Sequence, residues 1–92
     1  MNHFQELLDR RRFENFGDAL RFYREGKGVT INQLANTLAI SPSYIYRLED
    51  NSRKDPSYQV VVRMGLSLGL DLAELNTLLW LAGYAPVERV DK

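Results

Sequence analysis

The chain has 92 residues, 45% of them apolar, and twelve acidic side chains balance twelve basic ones to a net charge of zero. That length builds one small domain around one core. The lack of cysteine excludes disulfides, thiol chemistry and cysteine-type zinc sites, and no run approaches the ~20 apolar residues of a membrane span.

The opening MNHFQELLDRRRF has no apolar run suited to a signal peptide, so cytoplasmic residence is expected. Asn2 to Glu14 reads as a helix, followed by a second over Phe16–Glu25. His3 is the only histidine and has no partners at metal-ligand spacing, so it reads as a plain surface residue. With no glycine-rich phosphate loop either, neither a metal nor a cofactor is expected, and the chain is not read as an enzyme.

Thr30 to Asn51, TINQLANTLAISPSYIYRLEDN, is the most informative stretch. Thr30 followed by Gln33 is a capping box, in which side chain and backbone satisfy each other's orphan groups. Ile31, Leu34, Ala35 and Leu38 then recur at helical spacing, predicting a helix over Ile31–Leu38. Ser41 is a good N-cap, and Pro42 fits the first helical position, where its missing N–H costs nothing. The helix that follows, Pro42–Asp50, buries Ile45 and Leu48 and turns Ser43, Tyr44, Tyr46 and Arg47 elsewhere; Asn51 can end it in a left-handed conformation. Only Ala39, Ile40 and Ser41 separate Leu38 from Pro42. Two short helices on so tight a turn have the plan of a helix-turn-helix, whose second helix enters the major groove of DNA.

Further helices are predicted over Tyr58–Leu68, with Ser57 as N-cap, and Leu72–Ala82, ended by Gly83 and Pro86. Gly65 stands inside the first of these, where a glycine is explained by close approach of another helix. Phe16, Ala19, Leu20, Tyr23, Leu34, Ala35, Leu38, Ile45, Leu48, Val61, Met64, Leu68, Leu72 and Leu75 are assigned to the core. Asp18, Asp71 and Glu74 fall in first turns, where they complement helix dipoles.

These residues resemble the bacterial and phage Cro/repressor-type (Xre-like) helix-turn-helix domains. The likeness runs from about Phe16 to Leu75 and rests on Leu34-Ala35, Ile40 to Ile45, Arg47-Leu48-Glu49, Asp55-Pro56-Ser57 and Leu68 to Leu72. It implies an all-α, lambda-repressor-like fold of five helices, here with an additional N-terminal helix. It also implies that Pro42, Ser43, Tyr46 and Arg47 stand where family members reach base edges. Two positions depart from the pattern. Ala39 occupies a turn position often held by glycine, at a cost of roughly 1 kcal/mol if the conformation is left-handed. Ile31 replaces a glutamine that contacts phosphate, leaving Thr30 or Asn32 to substitute.

Within that frame Arg47 is the strongest base-reading residue, because a guanidinium can bond O6 and N7 of guanine together. Tyr44 is assigned to phosphate and Tyr46 to the groove, and the loop with Asn51, Arg53 and Lys54 to the sugar-phosphate backbone. With Arg47, Arg53 and Lys54, Arg63 completes a modest basic face on a neutral chain. Glu49, acidic in such a place, is expected to pair with Arg21 or Arg24 or to cap backbone groups. The run Arg10-Arg11-Arg12 reads either as a DNA-backbone arm or, favoured by the alternation of charges, as a solvated helix face paired with Glu6, Asp9 and Glu14.

The C-terminal helix is apolar on more than one face. Either the N-terminal residues Phe4, Leu7, Leu8 and Phe13 cover the surplus, or it forms a two-fold interface through Leu75, Leu78, Leu79, Trp80 and Tyr84, with Trp80 as anchor. The leading expectation is a sequence-specific transcriptional regulator of double-stranded DNA, a repressor acting as a homodimer on a pseudo-palindromic operator. The alternative is a protein-interaction module or antitoxin on the same fold, meeting a protein partner through the apolar C-terminal surface.

Overall fold

A computed structural model describes residues 3–88 and, beyond the backbone, the side chains from Gln5 on. After a 3-10 turn at His3–Leu7 come α1 (Phe16–Gly26), α2 (Ile31–Leu38), α3 (Pro42–Glu49), α4 (Tyr58–Ser67) and α5 (Leu72–Leu81). No strand occurs among the described residues, and the five helices end within one residue of the sequence expectation. Each start is fixed by a short polar side chain accepting a backbone N–H. Asn15 caps α1, Ser41 α3 and Ser57 α4, while Thr30 with Gln33 and Asp71 with Glu74 form capping boxes on α2 and α5.

The core forms where the helices cross. Phe16, Ala19, Leu20 and Tyr23 of α1 meet Leu34, Ala35 and Leu38 of α2, Ile45 and Leu48 of α3, Val61, Met64 and Leu68 of the α4 segment, and Leu78 and Leu79 of α5. Twelve of these were legible from helical spacing; Leu72 and Leu75, assigned to the core with them, are only partly buried. Leu75 has another task. Its Cδ1 lies 2.6 Å from where a Cβ on Gly65 would stand, so the glycine lets α5 close on α4. Ala39 does take the left-handed conformation, at φ 57°, with Asn51 and Asp55 also at positive φ.

Two expectations are corrected here. Asn2 to Glu14 is not a helix: beyond the 3-10 turn the chain runs as an irregular arm to Asn15, and Asn2 itself lies outside the described residues. Tertiary bonds outcompete helix formation. The Asp9 N–H donates to Thr77 Oγ1 at 2.8 Å, and the Asp9 carboxylate accepts from the Tyr23 hydroxyl at 2.6 Å. Asn76, fully buried, donates through Nδ2 to the carbonyls of Leu7 and Val87 and accepts the Val87 N–H, tying the backbone at Leu7 and at Val87 to α5. Burial first, then the Asp9 carboxylate, pushes the Tyr23 phenol well above its ordinary pKa.

The second correction concerns the surplus apolar face. Leu78 and Leu79 are fully buried within the subunit and so cannot form a surface between subunits. Leu75 is partly buried on Gly65. Trp80, 48% exposed, and Tyr84 remain at the surface, although the Tyr84 hydroxyl bonds the Pro56 carbonyl and its ring meets Tyr58 edge-on. From the arm, Phe13 packs on the core and touches the rings of Phe22 and Tyr23 of α1. Leu7 and Leu8 are half-buried, and the Phe4 and His3 side chains lie outside those described.

Candidate nucleic-acid interface

α3 is eight residues long and packs on α1 and α2. Ile45, Leu48 and Glu49 face inward, which leaves Pro42, Ser43, Tyr46 and Arg47 exposed on the opposite side. Tyr46 is 55% exposed, large for an aromatic ring with no protein surface to cover it. Side chains three and four apart on a helix project together, so Ser43, Tyr46 and Arg47 form one exposed face. The Ser41 hydroxyl, committed to the Ser43 N–H at 3.1 Å, sets the entry angle, and Pro42 at the first position pre-forms the turn.

A buried ion pair joins the apolar packing of Ile45 and Leu48 in holding α3. The Glu49 side chain is wholly buried, and Arg24 grips it through Nε at 2.5 Å and Nη2 at 2.8 Å; Arg21 Nε adds a longer contact at 3.4 Å. The same Arg24 donates Nη1 to the Val29 carbonyl at 2.8 Å, so one guanidinium fixes α3 and the loop into α2 together. Hydrogen bonds donated to the Glu49 carboxylate hold Arg24 above its ordinary pKa against the opposing effect of burial. No buried side-chain nitrogen or oxygen among the described residues lacks a hydrogen-bond partner. The expected pairing of Glu49 with Arg21 or Arg24 is thus met by both.

A second lock joins α1 to the end of α3, and nothing in the sequence reading singled it out. Gly17 donates its N–H to Asn51 Oδ1 at 3.2 Å. A Cβ there would lie 2.4 Å from the Leu48 carbonyl oxygen and 2.6 Å from that of Glu49. Asn51, assigned to phosphate contact, therefore spends its carbonyl oxygen on α1; its amide nitrogen is what remains for a ligand. A glycine in the first turn of a helix was the available signal.

The loop after α3 is ordered by its own backbone. Arg53 donates its N–H to the Arg47 carbonyl at 3.0 Å, and Ser52 donates its own to Asp50 Oδ1 at 2.8 Å. Bonds from Ser52, then the charges of Arg47 and Arg21, hold the exposed Asp50 carboxylate below its ordinary pKa. The Arg53 guanidinium lies 5.2 Å above the Tyr44 ring, joining two residues that the sequence assigned separately to the phosphate backbone. Lys54 is exposed beside them. Arg63 is exposed but committed in part: its Nη2 caps the Leu38 carbonyl at 2.7 Å, satisfying the end of α2. At the other end of α2, Thr30 accepts the Gln33 N–H and Asn32 is exposed, while Ile31 packs against the core, which accounts for an apolar residue there. Among the described residues no group of three or more His, Cys, Asp or Glu could hold a metal ion, and no helix is long and apolar enough to cross a membrane.

Comparison with known proteins agrees with this geometry. Residues 17–80 match a family model described as a helix-turn-helix domain. The chain is 37% identical over 59 residues to the HTH-type transcriptional regulator SlrR of Bacillus subtilis (strain 168), covering 64% of this chain and 39% of that protein. It is 32% identical over 71 residues to the HTH-type transcriptional repressor RghR of the same organism, covering 77% of this chain and 50% of that one. The chain thus spans half or less of the length of these relatives. Among solved structures, the biofilm master regulator SinR in complex with DNA superposes with a TM-score of 0.62 at 28% identity, covering 70% of this chain and 97% of that one. With the exposed face of α3, the buried clamp behind it and the matched segment in agreement, the chain belongs to the helix-turn-helix domain family, of the Cro/Xre type that its sequence resembles.

Proposed function

We propose that this chain is a transcriptional regulator that reads double-stranded DNA sequence through α3, acting as a repressor and as a homodimer on a pseudo-palindromic operator. The observation that carries the reading is the exposed Ser43–Tyr46–Arg47 face, backed by the buried Glu49–Arg24 clamp. Arg47 reads guanine, and Ser43 and Tyr46 contact neighbouring base edges or the groove wall. The Tyr44–Arg53 pair, Lys54, the Asn51 amide, and Thr30 with Asn32 grip the backbone on either side. One such face reads few base pairs; two, set about 34 Å apart by a two-fold axis, read a symmetric site. That SinR has been solved with DNA supports the same use of this fold here.

Zero net charge limits non-specific affinity, so the salt response should come from few residues. On a mixed-sequence duplex followed by fluorescence anisotropy, Arg53→Ala and Lys54→Ala should each lower the slope of log K against log salt by about one. Binding indifferent to salt, or a slope that neither change moves, would remove this loop from the interface.

A protein-interaction module on the same fold is the second reading. The half-exposed Trp80 favours it, whereas the burial of Leu78 and Leu79 removes most of the apolar face on which it rested.

A further inference from the structure

The N-terminal arm and α5 line an open groove of about 660 Å³. It lies apart from the exposed α3 face: α3 packs on α1 and α2, whereas α5 packs on α1, α4 and the 3-10 turn, so α1 stands between them. Arg10, Arg11 and Arg12 line the groove from the arm, and Trp80 and Leu81 line it from α5. Arg11 is held with its guanidinium 4.7 Å over the Phe22 ring. Arg10 and Arg12 are exposed, and among the described residues neither is in an ion pair, contrary to the pairing with Glu6, Asp9 and Glu14 expected of a helix. Asp9 also lines the groove, but its carboxylate is committed to the Tyr23 hydroxyl and the Arg11 N–H. Glu6 is the other acid there. A neutral chain thus gathers three guanidiniums beside its only tryptophan, which is 48% exposed.

We propose that this groove docks an acidic segment of a partner protein, with Asp or Glu side chains on Arg10 and Arg12 and an apolar side chain over Trp80 and Leu81. Guanidinium binds carboxylate through paired hydrogen bonds, and tryptophan with arginine is the composition of interface hot spots. A nucleic-acid backbone would satisfy the arginines and leave Trp80 and Leu81 in water. A purely apolar partner would bury guanidiniums without a counter-charge, which is costly. A segment carrying both carboxylates and apolar groups meets both requirements.

Trp80 supplies the readout. Its emission is followed as the full chain is titrated with a synthetic peptide in which Asp and Glu alternate with Leu and Phe. A saturating shift is expected, weakened about tenfold by the double change Arg10→Ala, Arg12→Ala, since each exposed ion pair is worth a few-fold. Thermal melting should show that variant as folded as the parent, and Arg47→Ala should leave peptide binding unchanged, which separates this surface from the DNA reading. Four results would overturn the proposal: no shift, an equal shift with a peptide carrying Lys at every acidic position, displacement of the peptide by a short mixed-sequence duplex, or a shift on raising the protein concentration alone, which would assign the groove to a second copy.

Discussion

Glu49→Ala is expected to cost about 3 kcal/mol or more, because removing one partner of a buried pair strands the other charge. Arg24 would be left with its side chain only 9% exposed and no carboxylate against Nε. For a domain of this size that is a fall in Tm of roughly 12 °C or more. Both effects exceed what an exposed pair would show, since those contribute ~1 kcal/mol at most. Thermal unfolding followed by circular dichroism gives the number. The double change Arg24→Met, Glu49→Leu should recover much of the loss, because apolar residues of similar volume can replace a buried ion pair. A single-mutant loss below ~1 kcal/mol would mean that α3 is held by its apolar face alone and that the clamp described here is incidental.

Gly17→Ala is expected to be the other severe change, through sterics instead of charge. A Cβ at 2.4 Å from one carbonyl oxygen and 2.6 Å from a second meets backbone at the end of α3, which cannot rotate aside as a side chain would. Overpacking of this kind costs roughly 1–3 kcal/mol, and relief requires α1 to move off α3 and to release the Asn51 bond. Gly26→Ala is the matched control. It lies in the same helix with nothing within 4 Å of the added carbon, and it should stabilise by up to ~1 kcal/mol. Equilibrium urea unfolding of the two variants should therefore move in opposite directions. If both stabilise, the close approach of α1 to α3 is not a packing constraint.

These two sites also mark where sequence reasoning succeeds and where it stops. Glu49 was legible because an acid on a helix expected to face DNA needs a local explanation, and Arg21 and Arg24 lie on the one helix able to give it. The caps at Thr30, Ser41 and Ser57 were legible because each bonds to backbone within three residues. Gly65 was legible because a glycine inside a helix has few purposes. Gly17, in the first turn of its helix, is a weaker signal, and its partners are more than thirty residues away in the chain.

The arm was misread for a related reason. Asn2 to Glu14 has good helix formers, but their propensity is worth tenths of a kcal/mol per residue and yields to specific bonds from Tyr23, Asn76 and Thr77. Polar Asn76 and Thr77 in the middle of an apolar helix were the visible hint. Leu78 and Leu79 were placed on a dimer face because periodicity counts apolar faces and does not say what covers them. Within the candidate site the 3.6-residue repeat identified the outward positions of α3, yet it could not show that Arg63, exposed like Arg47, spends one nitrogen on capping α2.

Selection of bound duplexes from a random double-stranded library tests whether α3 reads DNA sequence through Arg47. The native chain and Arg47→Ala are carried through in parallel at low salt, with thermal melting as a check that the two are equally folded. The expected result is enrichment of a two-fold symmetric motif with guanine at matching positions of each half, and loss or relaxation at those positions with Arg47→Ala, worth ~1–3 kcal/mol per half-site. Failure to enrich any motif, or an identical motif from both proteins, would contradict it.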